Sequence, residues 1–456
     1  MDAADLAFAG LARQAELIRE GAVTSRALTE LYLERIARLD PDLRAYRVVL
    51  AEAALAAADA ADARRGADAP PLNGVPIAIK DDTDVAGVVT ARGSLAHDGV
   101  PAAQDAEPVR RLRAAGAIIL GKTHVPELEA LAATESLAYG ATRNPWDPAR
   151  TSGGSSGGSG TAVAAGLAAA ALGTDGAGSI RIPAACCGLF GLKPQRDRVP
   201  MASNWFGMAV AGALTRGVLD TALFLDTVKD GGPSYAEAAA RPPGALRIAY
   251  SLKVPRGVTA RTEAEPRAAV ERTAERLREL GHTVVERDPD YGNSGVNVTA
   301  RYLEGIAADA ASMPHPERLA RWTRGLAAMG SRIPAFLVAR AHAQEAADRD
   351  RAGALFGEFD VLLTPALTRR PPPVGEWLGL PSPLLLNGMA NFIPHLSLWN
   401  HTGQPAAALP VEAAPDGFPV GVQLVGRPDD EPTLLSLSAQ LETATGWLAR
   451  RPPLAA

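Results

Sequence analysis

The sequence predicts an α/β fold, one domain spanning 1–456, and three observations carry that expectation. Short apolar runs such as Gly74–Lys80 (GVPIAIK) have the length and continuity of buried strands. Between such runs lie longer stretches with apolar residues at helical spacing, as in Leu28, Leu31, Tyr32, Ile36 and Leu39. With 47% apolar and 21% charged residues, the composition supplies enough material for a sizeable core.

Taken in order, residues 1–65 read as a helical cover, with Thr24 and Ser25 suited to an N-cap. Pro70, Pro71, Asn73 and Gly74 then punctuate the approach to the strand ending at Lys80, the start of a catalytic core over 66–228. Gly116–Thr123 (GAIILGKT) matches the phosphate-binding loop pattern letter for letter. Its AIIL has the character of a strand, and Pro126 leaves no room for a phosphate-capping helix. The motif is therefore read as a decoy, with Lys122 in the loop after a strand. Tyr139–Pro148 forms a turn-rich lead into GGSSGGSG at 153–160, whose composition alone suggests a flexible linker. That stretch runs instead into an alanine-rich helix at 156–165 and a short apolar strand ending at Thr174, so it reads as buried and rigid.

Met201, Trp205, Phe206 and Met208 within 198–215 are open between lining a substrate pocket and packing as core, the pocket being preferred because the stretch closely follows the Asp175–Ser179 turn. An amphipathic helix follows at 218–228, then a polar surface loop at 229–245. A strand at 246–250, a charged helix at 263–280 and a strand at 283–286 make an αβ layer. The stretch 296–356 is helical, broken at Pro314, Pro316 and Pro334, and 359–364 is a strand before the proline-rich loop 369–373. Asn391, Phe392, His395, Trp399, Asn400 and His401 are open between substrate contact and interior packing. The Pro415-Asp416-Gly417 turn and Val420–Val425 indicate a hairpin, and 432–443 a final helix.

Charge and targeting signals narrow the function classes. A net charge of −5 provides no electrostatic footprint for nucleic acid. MDAADLAFAGLARQ lacks a basic segment followed by an apolar one, and the longest apolar run, Thr161–Gly173, is too short to cross a bilayer. A cytoplasmic protein with no membrane partner is expected. The only cysteines, Cys186 and Cys187, are adjacent; neighbouring Cα atoms lie too close for an ordinary disulfide, so both are expected reduced and buried.

The chemistry concentrates in Thr151–Ala185. In Asp175-Gly176-Ala177-Gly178-Ser179, missing Cβ atoms let successive backbone N–H groups converge beside the Ser179 hydroxyl, the geometry of an oxyanion hole. A serine nucleophile needs a base. None of the seven histidines carries a signature tying it to Ser179, whereas Lys80 ends a buried apolar strand, where burial disfavours the charged form.

GVPIAIKD, TRNPWDPARTSGGSSGGS and TDGAGSIRIPAACCGLFGLKP together resemble the amidase signature family, serine hydrolases of amide bonds. The resemblance extends from ALTELYLERIARLDP to GFPVGVQLVGRPDDEPTLLSLSAQL, most of the chain. It implies three α/β/α layers around a large central mixed sheet. It also implies Ser179 as nucleophile, Ser155 as a bridging serine held by a cis peptide, and Lys80 as base. The oxyanion donors would be the backbone N–H groups of Gly176, Ala177 and Gly178; Ala177 stands where many relatives carry glycine, which a negative φ would tolerate. Asp175 and Arg181 are expected to pair and hold the turn, while Ser156 is left even between bonding Lys80 and capping the next helix. Asp81 and Asp82 should point away from Lys80, since a nearby carboxylate favours the ammonium.

In the family the middle region, here 229–356, shapes the pocket, and 357–456 returns to the sheet. The implied substrate is a small-molecule amide, aryl or aliphatic, with anilides, esters and carbamates offering similar carbonyls. No cofactor and no metal is required, and a homodimer is left open. Rival readings are the glutaminase subunit of a tRNA-dependent amidotransferase, an ATP-binding protein using Lys122, and an inactive scaffold, the last disfavoured by the presence of Lys80, Ser155 and Ser179 together.

Overall fold

The computed structural model describes residues 2–66 and 68–455. Its strands are β1 (Tyr46–Val49), β2 (Pro76–Lys80), β3 (Ile118–Thr123), β4 (Glu135–Ser136), β5 (Gly140–Ala141), β6 (Ala170–Asp175), β7 (Phe190–Lys193), β8 (Val210–Thr215), β9 (Arg247–Tyr250), β10 (Thr283–Glu286), β11 (Val361–Pro365), β12 (Ala406–Ala413) and β13 (Pro419–Gly426). Eleven of them form one mixed sheet in the order β1-β3-β2-β6-β8-β7-β12-β13-β11-β9-β10, while β4 and β5 pair separately. Parallel pairing joins β3-β2-β6 at one end and β11-β9-β10 at the other, with antiparallel strands between. Helices flank the sheet, as the three-layer expectation requires.

Central strands are buried along their whole length, which explains why β2, β3, β6 and β13 read as apolar runs. Strands β1, β4, β5, β7 and β8 escaped the sequence reading, and two of them show why. β1 interrupts the helical cover, pairing antiparallel with β3, and its four residues are too few to show a period. β8 (VAGALT) sits at the centre of the sheet, where the reading of 198–215 preferred a pocket; its alanine and glycine carry little strand propensity, and burial decides its state. Lys122 is also corrected: it lies inside β3, fully buried, and not in a following loop.

The Gly/Ser stretch is packed tightly. A Cβ on Gly154 would lie 2.6 Å from the Leu131 carbonyl oxygen, and one on Gly158 would lie 2.4 Å from the His124 backbone nitrogen. Glycine at these positions lets backbone pass against backbone, so the segment is rigid and buried and enters the helix Gly157–Ala164 directly. Because β2 and β6 are parallel neighbours, with Ile77 opposite Ala170 and Ile79 opposite Leu172, their C-terminal ends emerge side by side. Lys80 and the Asp175–Ser179 turn thereby come together.

Candidate active site

Lys80 is fully buried at the end of β2, and its Nζ donates to Ser155 Oγ at 2.8 Å. Ser155 follows a cis peptide bond from Gly154. The N–H of Ser156 donates to the Ser179 carbonyl at 3.2 Å, clamping the two glycine turns together. The third link is not made: among the described residues, Ser179 Oγ has no hydrogen bond to Ser155. Ser156 matches neither expectation, because its hydroxyl donates to the Thr174 carbonyl at 3.2 Å and makes no capping bond.

Behind the turn, Asp175 and Arg181 form a fully buried bidentate pair, Nε to Oδ2 and Nη2 to Oδ1 both at 3.0 Å. Burial pushes the Asp175 carboxyl up, but the Arg181 guanidinium and the Asn400 amide outweigh it and hold it well below the usual carboxylate range. Asp175 Oδ1 also accepts the Gly178 N–H at 2.6 Å. That bond corrects the proposed donor set, because a Gly178 N–H bound to Asp175 is turned away from an oxyanion. The N–H groups of Gly176, Ala177 and Ser179 have no such partner among the described residues.

Two residues that sequence reasoning had not given a supporting role complete this frame. Asn400 donates to the Asp175 carbonyl at 2.7 Å and accepts from Arg181 at 2.6 Å. Gln423 accepts from Arg181 Nη1 at 2.7 Å. Gln423 left a trace in the sequence, a lone amide inside the apolar run of β13, and a buried amide there must find a partner.

The two aspartates after Lys80 part company. Asp81 turns away, as expected, to Arg47 and to Lys122 Nζ at 2.9 Å. Asp82 does the opposite, placing Oδ2 3.1 Å from Lys80 Nζ, with the Thr174 hydroxyl accepting from Lys80 at 2.6 Å and donating to Asp82. The chain turns at 81–83 immediately after β2, so Asp82 folds back over the strand end.

Ser179 and Ala177 line a cavity of about 970 Å³. Its walls are largely apolar: Leu131, Ile182, Ile333, Met389 and Ile393 among them. The stretch 296–356 contributes heavily, from Val296 to Arg351. Within 388–404 the lining falls to Met389, Ala390, Ile393, Pro394, Ser397 and Leu398, while His395, Trp399, Asn400 and His401 are interior. Met201, Trp205, Phe206 and Met208 are absent from the walls, correcting that preference; Trp205 packs edge-on against Tyr302 and donates to Asp309 at 3.1 Å. Pro255–Val258 also lines the cavity and carried no recognisable signal.

A family model described as Amidase matches residues 27–435. The chain is 52% identical to "Putative amidase AmiB2" of Mycobacterium tuberculosis, over 99% of both chains. It is 35% identical to the 6-aminohexanoate-cyclic-dimer hydrolase of Paenarthrobacter ureafaciens, over 97% of this chain and 96% of that one. A solved 6-aminohexanoate cyclic dimer hydrolase superposes with TM-score 0.92 at 31% identity, covering 100% of both chains. A peptide amidase from Stenotrophomonas maltophilia superposes with TM-score 0.81 at 28% identity, over 97% of this chain and 98% of that one. With a buried lysine bonded to one serine, a second serine opening onto the cavity and a family match over nearly the whole length, the chain is an amidase of the amidase signature family.

Proposed function

We propose that this amidase cleaves apolar aryl or aliphatic amides through an acyl-enzyme on Ser179, with Ser155 and Lys80 relaying the proton. The observation that supports this most is the buried 2.8 Å bond from Lys80 to Ser155, next to a Ser179 that faces a cavity of about 970 Å³. Lys80, as the free amine, takes a proton from Ser155 as Ser155 takes one from Ser179; the Ser179 oxygen then attacks the carbonyl. Having no partner of its own, the Ser179 hydroxyl is free to turn toward Ser155. Backbone N–H groups of Gly176, Ala177 and Ser179 receive the oxyanion, each donor worth about 3 kcal/mol in comparable sites. Asp175 and Arg181 hold the turn without exchanging protons. The leaving amine collects its proton through Ser155, and water releases the acyl group.

The apolar walls favour substrates with hydrocarbon on at least one side of the carbonyl. Relatives named for a cyclic 6-aminohexanoate dimer and for peptides point the same way, toward amides larger than glutamine. Anilides, esters and carbamates present similar carbonyls to the same groups. A screen of these four classes with the purified chain, using Ser179→Ala as the blank, tests the reading. Hydrolysis by the wild type, abolished in Ser179→Ala and in a folded Lys80→Ala, is expected; near wild-type rates in either variant refute it.

A further inference from the structure

Lys80 Nζ lies among four acceptors: Ser155 Oγ at 2.8 Å, Thr174 Oγ1 at 2.6 Å, the Thr174 carbonyl at 3.4 Å and Asp82 Oδ2 at 3.1 Å. An ammonium has three protons to donate and no lone pair. The Thr174 hydroxyl has one proton, which goes to Asp82, leaving its lone pairs for Lys80. Asp82 Oδ1 accepts the Thr83 hydroxyl at 2.9 Å. The protons of Lys80 and of the Thr174 and Thr83 hydroxyls all have a place when Lys80 is charged and Asp82 ionised. In line with that, burial pushes the Asp82 carboxyl up, but Lys80 and the Thr174 and Thr83 hydroxyls outweigh it and hold it below its ordinary value.

Other charges nearby are engaged elsewhere. Asp81, next in sequence, is taken by Arg47 and by Lys122 of β3. Glu129, from the turn at 127–129, is bound by Arg92 at 2.6 Å, and Arg92 also reaches Asp309. Burial pushes the Glu129 carboxyl up to about 7. Among the described residues, Asp82 is the carboxylate in ion-pair contact with Lys80.

We propose that Asp82 is a positioning residue of the proton relay: with Thr174 it holds Lys80 against Ser155 as the ammonium in the resting enzyme, so hydrolysis begins only from molecules that have released that proton. This rests on Lys80 being the base. The released proton passes from Nζ to bulk water, Asp82 stays ionised, and the amine lone pair so exposed accepts the Ser155 proton. Asp82 thus shifts activity toward alkaline conditions in exchange for holding the lysine in register. Its removal should free the amine at lower pH.

The test is kcat/KM against pH for the full-length wild type, Asp82→Asn and Thr174→Val, on one hydrolysed anilide. The rising acid limb should move to lower pH by about one unit or more in Asp82→Asn, an approximately tenfold gain on the limb, and less far in Thr174→Val. A purely structural role would scale the whole profile without moving the limb. Limbs that coincide with the wild type, or that move to higher pH, overturn the proposal. If Asp82→Asn does not fold, judged by its melting curve, Thr174→Val decides alone. Lys80→Ala separates the two readings: residual wild-type rates there refute the base assignment, whereas an inactive Lys80→Ala beside an unmoved limb refutes only the role of Asp82.

Discussion

Replacing Asp175 by asparagine tests the frame behind the turn. The substitution keeps the shape and removes the charge that faces Arg181 across two 3.0 Å bonds, both side chains being wholly buried. Arg181 is then left as a buried cation without a facing carboxylate, held by the Leu396 carbonyl, the amide oxygens of Asn400 and Gln423 and the one amide oxygen kept at position 175. Breaking such a pair from one side costs about 3–5 kcal/mol. A chain of 456 residues carries an unfolding entropy of roughly 1 kcal/mol per kelvin, so Tm at pH 7 should fall by about 3–5 °C. The Gly178 N–H loses its charged acceptor as well, and the slackened turn should lower kcat by about 100-fold, the scale of a lost oxyanion donor.

Calorimetry and initial rates on the screened amide read both effects. The folded carboxyl is depressed, so its contribution is fully present above the unfolded value near ~4 and is lost as pH falls below it; wild type and variant should converge there. In Asp175→Asn/Arg181→Met, an uncharged pair should restore much of the Tm without restoring kcat. A Tm within roughly 1 °C of wild type together with an unchanged kcat would refute the reasoning.

Two further outcomes follow from the same geometry. Gly178 has φ +121°, and an added Cβ would sit 2.8 Å from Leu396 Cδ1, so Gly178→Ala should cost about 1–3 kcal/mol and lower kcat/KM at least tenfold, read by melting curves and rates. Both ring nitrogens of His395 are buried without partners among the described residues, and burial pushes the imidazole down to about 4. Because the unfolded ring titrates near ~6.5, stability is retained above that pH and lost between it and about 4; His395→Leu should therefore flatten the acid loss, visible as a smaller Tm drop from pH 7 to pH 5.

Much of the site was legible wherever the chemistry is local. Lys80 at the end of a buried apolar strand, two glycine turns bearing hydroxyls, and an aspartate and arginine flanking one of them all lie within short segments, and backbone geometry alone brings each set together. The decoy at Gly116–Thr123 was legible for the same reason, since AIIL could only be strand; Lys122 itself was not, because its burial is compensated by Asp81, on the neighbouring strand's end. Strands β1 and β8 were lost because short or alanine-rich segments are made into strands by their neighbours.

The sequence by itself determined the family, the α/β class, the hydroxyls and amine proposed to carry the reaction, and the glycines that let backbone meet backbone at Gly154 and Gly158. Tertiary structure decided which carboxylate faces the amine, which N–H groups remain available beside Ser179, and which apolar side chains line the cavity. Those outcomes depend on contacts such as Lys80 with Thr174, 94 positions apart, and Arg181 with Gln423, 242 apart. A side chain's direction at such a contact is set by the packing of both segments at once, and neither segment encodes it alone.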